Sequence, residues 1–256
     1  MTRTPAQRAL SSRAVSSRIF LPLLLAVSLA LLSLPEVAGF VVRALGLQAG
    51  TPVPAGRLAW LARQHLALAL AGFCLAGGTG LGLGILATRA AGASVRPTLD
   101  TLAAAAQAVP PLVVVALALP VIGFGAPPIL LALAAYGLMP VMRGTVGALA
   151  TVPEEVRRAA IGMGLTPTQT LLRVELPLAA GPILEALRVV LVLAVATAAI
   201  GALAGSQTLG TPIIVGLQNQ NNLALVQGAA AAAALAFLED AAWLAAAAGL
   251  GRLLRR

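Results

Sequence analysis

Thr151–Pro177 reads TVPEEVRRAAIGMGLTPTQTLLRVELP. Two helix-start signals sit in it. Thr151 is followed three residues later by Glu154, with Pro153 in the first turn, the pattern of a capping box. Thr166 is followed three later by Gln169, again with a proline beside the cap. Gly162 and Gly164 separate the two segments, as glycines do where helices end, and Pro177 is expected to stop the second. The stretch therefore reads as two short helices with an abrupt turn. Arg157, Arg158 and Arg173 are balanced by Glu154, Glu155 and Glu175. Nucleic-acid affinity needs a net basic face, so a protein-docking element fits better than a nucleic-acid reader.

The sequence on either side of this loop is apolar. Over the whole 256-residue chain 59% of residues are hydrophobic and 10% charged, against roughly 25% charged in an average soluble domain. A membrane-spanning helix needs about 20 mostly apolar residues. Six stretches qualify, at residues 19–41, 65–87, 101–122, 127–148, 183–204 and 223–248. Pro35 and Glu36 place a stop near Leu34 in the first, and Pro110–Pro111 a kink in the third. The expected fold class is an all-α polytopic membrane protein with about six spans. A signal peptide is the other reading of the first span, but its apolar core exceeds the usual 7–15 residues and no clean cleavage site follows.

Arginine placement sets the orientation. Arg3, Arg8, Arg13 and Arg18 precede span one, and Arg89 and Arg96 follow span two. Arg143, Arg157, Arg158 and Arg173 attend the long loop, and Arg252, Arg255 and Arg256 end the chain. With six spans all of these fall on the cytoplasmic side, so both termini are expected there. Residues 205–222 on the opposite side hold no charge.

The basic residues are all Arg, which removes several chemistries. A P-loop needs its Lys on the phosphates, and Schiff-base catalysis needs a Lys amine. The lone Cys74 and lone His65 support no disulfide, metal cluster or His-based metal site. Cys74 is expected to be a small buried hydrophobe, and His65 a polar tip at the outer end of span two. No Ser/His/Asp set or carboxylate pair faces a plausible cleft, so the chain reads as a non-enzyme with no cofactor of its own.

Within the spans, Gly72, Ala76, Gly80 and Gly84 repeat at four-residue spacing, with Gly78 and Gly82 as a second row. Such rows let two helix backbones approach closely. Arg188 lies in span five, and Glu239 and Asp240 lie at a similar expected depth in span six. Intramembrane charges are usually paired, so Arg188 is expected to pair with Asp240 or Glu239 as a fixed buried ion pair. Gln218, Asn219 and Asn222 are polar residues of an outer loop.

The long loop resembles the EAA loop of permease subunits of binding-protein-dependent ABC importers, which reads Glu-Ala-Ala, three residues, Gly, nine residues, Ile-x-Leu-Pro. Ala159 and Ala160 hold the alanines, Gly164 the glycine, and Val174, Leu176 and Pro177 the end. Arg158 stands at the Glu position and Val174 at the Ile position. Further pieces resemble permeases for quaternary-ammonium osmoprotectants: His65-Leu66, Gln107–Leu112, Gly123–Pro127, Arg188, Leu209-Gly210 and Gly216-Leu217. Where that subgroup carries a glycine-rich run, this chain reads Gly205-Ser-Gln-Thr-Leu-Gly210, with Gln207 and Thr208 in place of glycines.

The resemblance implies a type I ABC importer transmembrane domain over residues 60–250, with coupling loop 151–178. Residues 1–59 would form a basic tail, first helix and outer loop, and 251–256 a basic cytoplasmic tail. It implies a multi-pass protein of a prokaryotic inner membrane, surrounded by lipid. Its partners would be cytoplasmic ATPase subunits that hold ATP and Mg, a second permease copy or relative, and an extracytoplasmic substrate-binding protein. Arg158, Ala159, Ala160, Gly162, Gly164, Val174, Leu176 and Pro177 would couple ATPase closure to movement of the spans. The expected cargo is a small osmoprotectant such as glycine betaine, choline or carnitine. An ABC permease for amino acids, sulfonates or another small solute is the competing reading, and an ion-driven secondary transporter a third. The last would need inverted repeats with broken helices, which the sequence does not display. Five Phe, two Trp and one Tyr scattered singly argue against a tight aromatic cage for a quaternary ammonium group.

Overall fold

The computed structural model describes residues 5–89 and 108–253, together with residues 97, 98, 101 and 105. Among these every regular element is helical. Arg3, Arg96, Gln107, Arg255 and Arg256, with residues 102–104 and 106 of the third expected span, lie outside the described residues.

Helix α1 (Pro5–Leu32) and helix α2 (Pro35–Ala44) meet at an angle of 81°. The cause is local. Pro35 opens α2 without an N–H to donate, and Leu34 before it is extended at ψ 139°, the conformation a following proline imposes. Helix α3 (Ala55–Ala87) begins ten residues before the expected start of span two. Pro110 is extended and Pro111 opens helix α4 (Pro111–Ile122), which ends at Gly123. Helix α5 (Ala126–Ala150) follows, then helix α6 (Glu154–Gly162) and helix α7 (Pro167–Thr170). A π-turn over Leu171–Glu175 joins α7 to helix α8 (Leu176–Ile200), which tightens into a 3₁₀ turn at Gly201–Ala204. Helices α9 (Gly210–Gln218) and α10 (Asn222–Leu253) complete the chain.

Four helical stretches are long and apolar enough to cross a membrane: 55–87, 126–150, 167–204 and 222–251. The bent α1–α2 pair makes a fifth if counted as one span. Against the six expected, four or five are thus counted among the described residues, and α4, at the third expected span, has 12 residues, about 18 Å of helix.

Two expectations about the loop are corrected. Pro177 does not stop the second loop helix, since residues 167–204 run on as one helical stretch. The π-turn explains why: Leu176 N–H bonds back five residues to Leu171 O, and such a widened turn accommodates a ring that a regular α-turn would press against the carbonyl four residues earlier. Thr151 does not cap α6. Its hydroxyl bonds Ala148 O at 2.7 Å, and Pro153 is the N-cap, with no side-chain cap bond.

The described chain folds as two compact units. One comprises Met1–Ala69, Phe124–Ala126 and Val195–Leu250, the other Leu70–Gly123, Pro127–Ala194 and Gly251–Arg256. In the first, the Gln227 side chain of α10 is buried. It accepts from Val53 N–H at 2.8 Å and donates to Ser33 O at 3.1 Å, tying the α1–α2 bend to the segment before α3. A cavity of about 430 Å³ in this unit is lined by residues such as Leu23, Ala30, Leu58, Ala62 and Leu235. With Gln227 already bonded, that lining is too apolar to hold a polar cargo. In the second unit, Ala148, Leu149, Val152, Ala179 and Ile183 form a buried cluster where α5 and α8 converge on the loop between them.

Candidate coupling site

The site is built around α6. The helix ends as a Schellman motif: Leu165 N–H bonds Ala160 O at 3.2 Å and Gly164 N–H bonds Ile161 O at 2.9 Å. Gly164 sits at φ +84°, a left-handed conformation that glycine adopts without a Cβ penalty. This gives the interval between Ala160 and Gly164 a physical meaning, since the motif places the left-handed residue four positions after its acceptor. Thr166 and Gln169 then form the expected capping box, with Gln169 N–H donating to the Thr166 hydroxyl at 3.3 Å and Thr166 N–H to Gln169 Oε1 at 3.0 Å.

Glu175 holds the loop together. It is buried at 4% exposure inside the π-turn. Arg89, two residues past the end of α3, donates to its Oε2. Arg157 of α6 lies 3.3 Å from its Oε1 through Nε, and also donates through Nη2 to Leu149 O at the end of α5. The ends of α3 and α5, the helix α6 and the π-turn thus share one buried acid. In the sequence Glu175 stands only as part of the loop's local charge balance. A signal was present: it is the sole acidic residue between Glu155 and Glu185.

The motif residues separate into two sets. Ala160 is buried at 1% exposure, and Leu176 packs on the α5–α8 cluster. Val174 and Pro177 are half-buried, while Ala159 and Gly162 are exposed. Arg158 is exposed and pairs with Glu154 at 3.4 Å, an arrangement that contributes little to stability. The outer surface of the loop also carries Val156, Ile161 at 61% and Met163 at 73% exposure, whose exposure no local sequence signal marks. Exposed apolar residues beside buried polar anchors are the pattern of a partner-docking face.

The small-residue row of α3 meets α5 in the same unit. A Cβ at Gly80 would lie 2.8 Å from Val141 Cβ and 2.9 Å from Leu138 O, and one at Gly84 2.6 Å from Thr145 Cβ. One at Gly72 would strike the Leu133 side chain, and Ala76 Cβ lies 2.7 Å from the corresponding point on Gly137. The second row, Gly78 and Gly82, faces nothing within 4 Å. Cys74 lies on this open side of the helix and is exposed, correcting its expected burial: it is two residues from Gly72, on roughly the opposite face.

His65 is also corrected. It is fully buried, because α3 begins at Ala55 and three turns precede it. Its Nε2 lies 2.9 Å from Val195 O, and Leu209 N–H bonds its Nδ1 at 3.3 Å. A carbonyl only accepts and an amide N–H only donates, so the ring is the neutral Nε2–H tautomer. Thr208, one of the two departures from the glycine-rich run, is buried and accepts Gly210 N–H at 3.2 Å through its hydroxyl. Asn222 donates to Gln48 O at 2.9 Å, which anchors an outer loop, while Gln218 and Asn219 are exposed. Arg188 lies 3.5 Å from Glu185, one turn back on α8. Asp240 is buried and partnered. Both oxygens of buried Glu239 have no hydrogen-bond partner among the described residues.

Residues 80–239 match the family described as binding-protein-dependent transport system inner membrane component. The chain is 33% identical over 183 residues to an osmoprotectant import permease of Salmonella typhimurium, covering 72% of this chain and 78% of that one. It is 32% identical over 178 residues to a glycine betaine/carnitine/choline transport system permease of Bacillus subtilis, covering 69% and 77%. It is 45% identical over 132 residues to an ergothioneine transport permease/ergothioneine binding protein of Helicobacter pylori, covering 52% of this chain but only 24% of that longer protein. Among solved structures, a methionine ABC transporter in an inward-facing conformation aligns with a TM-score of 0.67 at 21% identity, over 79% of this chain and 98% of that one. That likeness concerns the fold. With its loop, its spans and the family match over 80–239 in agreement, the chain belongs to the inner-membrane components of binding-protein-dependent transport systems.

Proposed function

We propose that this chain is the membrane-spanning permease of an ATP-driven importer for small quaternary ammonium solutes. The names of the Salmonella and Bacillus relatives carry this reading. The Helicobacter relative supports the same class, since ergothioneine is itself a trimethylammonium carboxylate. Two ATPase subunits would bind ATP and Mg, a second permease subunit would complete the pathway, and a binding protein would deliver cargo. The coupling loop and both termini would face the cytoplasm.

The single structural observation behind the mechanism is the division of the loop. Glu175, Arg89 and Arg157 clasp α6 to the ends of α3 and α5, while Val156, Ile161 and Met163 stay exposed. The exposed set would seat in a groove of the ATPase. Closure of the ATPase dimer would then pull on α6, and the clasp would pass the displacement to the spans as one body. The direct test is uptake of labelled glycine betaine and labelled ergothioneine by proteoliposomes holding the complete transporter, with and without ATP. ATP-dependent uptake of either, competed by carnitine, is the expected result. Uptake of neither, with amino-acid uptake in its place, overturns the cargo assignment.

A further inference from the structure

The Gln207 side chain is engaged by a residue 150 positions away. Arg57, in the first turn of α3, donates through Nη2 to Gln207 Oε1 at 2.6 Å. The same guanidinium lies 4.5 Å from the centre of the Trp60 ring, one turn further along α3. The loop that carries Gln207 begins at Gly205 (φ +80°), and Phe124, 76% exposed, lies against it: its Cδ1 is 3.8 Å from where a Gly205 Cβ would stand. The hydroxyl of Ser206, between them, is buried without a hydrogen-bond partner. All these residues belong to one unit. The scattered aromatics of the sequence are thus partly gathered, with Trp60 and Phe124 bordering one short loop together with a cation, an amide and an unpaired hydroxyl.

The loop follows α8, whose 25 residues cover about 38 Å, more than the hydrocarbon core of roughly 30 Å. By the arginine asymmetry of the sequence, the uncharged stretch 205–222 is expected at the outer face, where cargo would enter. Arg57 and Trp60 are exposed or half-exposed there, so the contact is open to exchange.

We infer that Arg57, Trp60 and Gln207 form a specificity-determining subsite for zwitterions that join a quaternary ammonium group to a carboxylate. Without cargo, the guanidinium occupies the Trp60 face and is held by the Gln207 amide. An arriving betaine offers both replacements at once. Its carboxylate takes the guanidinium from Gln207 in a stronger, charge-assisted pair, and its ammonium takes the ring face, exchanging one cation–π contact for another. A cation without a carboxylate, such as choline, can do only the second and meets a positive charge that it cannot neutralise. The subsite therefore favours betaines over choline. This inference rests on the proposed cargo class.

The test is the ratio of glycine betaine to choline transport in proteoliposomes of the complete transporter, comparing wild type with Arg57→Gln, Arg57→Lys and Trp60→Ala. Arg57→Gln should lower the betaine-over-choline ratio of kcat/KM by roughly tenfold, the equivalent of one charge-assisted hydrogen bond. Arg57→Lys should keep most of the preference. Trp60→Ala should weaken both cargos, with Trp60→Phe recovering part of each. An equal loss of both cargos in Arg57→Gln would make the cluster a docking point for the binding protein and overturn the subsite, as would an unchanged ratio. Absence of uptake of either cargo by the wild type would instead remove the cargo class beneath it.

Discussion

Glu175 sets what can be learned at the scale of a residue. Its carboxylate is buried and meets two arginines that are each about 30% exposed. Removing the acid leaves both guanidinium groups without their partner, and hydrogen bonds to charged groups contribute about 1.5–3 kcal/mol. Glu175→Gln is expected to lower the thermal midpoint of the purified complex and to reduce transport, whereas Glu154→Gln, removing a carboxylate that is itself 59% exposed, should leave both nearly unchanged. The α3 seam offers an internal control. Gly80→Ala forces a methyl against Val141 and the Leu138 carbonyl, an overpacking cost of about 1–3 kcal/mol. Gly82→Ala meets nothing and should gain up to about 1 kcal/mol from helix propensity. Equal effects of the two in a thermal melt would refute the one-sided seam. Glu239 is a third case. Buried with neither oxygen bonded among the described residues, it should tolerate Glu239→Gln without loss of stability, since an unpaired buried carboxylate opposes folding. A clear drop in melting temperature would instead favour the interhelical pairing with Arg188 that the sequence suggests.

Helix α6 divides into buried and exposed positions. Ala160 is buried and Gly164 is left-handed, so altering either tests folding of the loop more than its docking. Ile161 and Met163 are the better probes, because both project from the surface. Ile161→Asp and Met163→Asp are expected to leave expression and melting temperature intact while lowering ATP-driven uptake by roughly tenfold or more, as loss of a docking hot spot would. Co-purification with the ATPase subunits should weaken in parallel, and normal assembly with normal uptake would remove these residues from the interface. The caps of this element divide instructively. Thr166–Gln169 is legible because a capping box needs only four consecutive residues. Thr151 misleads because its hydroxyl finishes the preceding helix, and choosing between two helices one turn apart depends on where each ends in space.

For the whole molecule, orientation is the property to test. The arginine asymmetry predicts that both termini and the loop 151–178 share one side of the membrane. Replacing Cys74, the only cysteine, by Ser gives a thiol-free background. Asn219→Cys, in an exposed position between α9 and α10, should then react with a membrane-impermeant thiol reagent from outside intact cells. Thr168→Cys in the coupling loop should react only after the membrane is opened. Labelling of both from outside, or of Thr168→Cys alone, would overturn the topology.

Read from the sequence by itself, this protein is an all-α membrane protein whose long loop resembles that of importer permeases. Those conclusions follow from apolar length, glycine and proline placement and the spacing of a short motif, which are local properties of the chain. The tertiary structure alone decided the remainder. It turned Glu175 from a balancing charge into the clasp of the loop and drew His65 from the surface into a buried link between Val195 and Leu209. It also brought Gln207 to Arg57 across 150 positions of sequence. Each depends on where distant helices cross, which a residue's own neighbours do not determine: hydrophobic patterning says which face turns inward, and only packing says what that face meets.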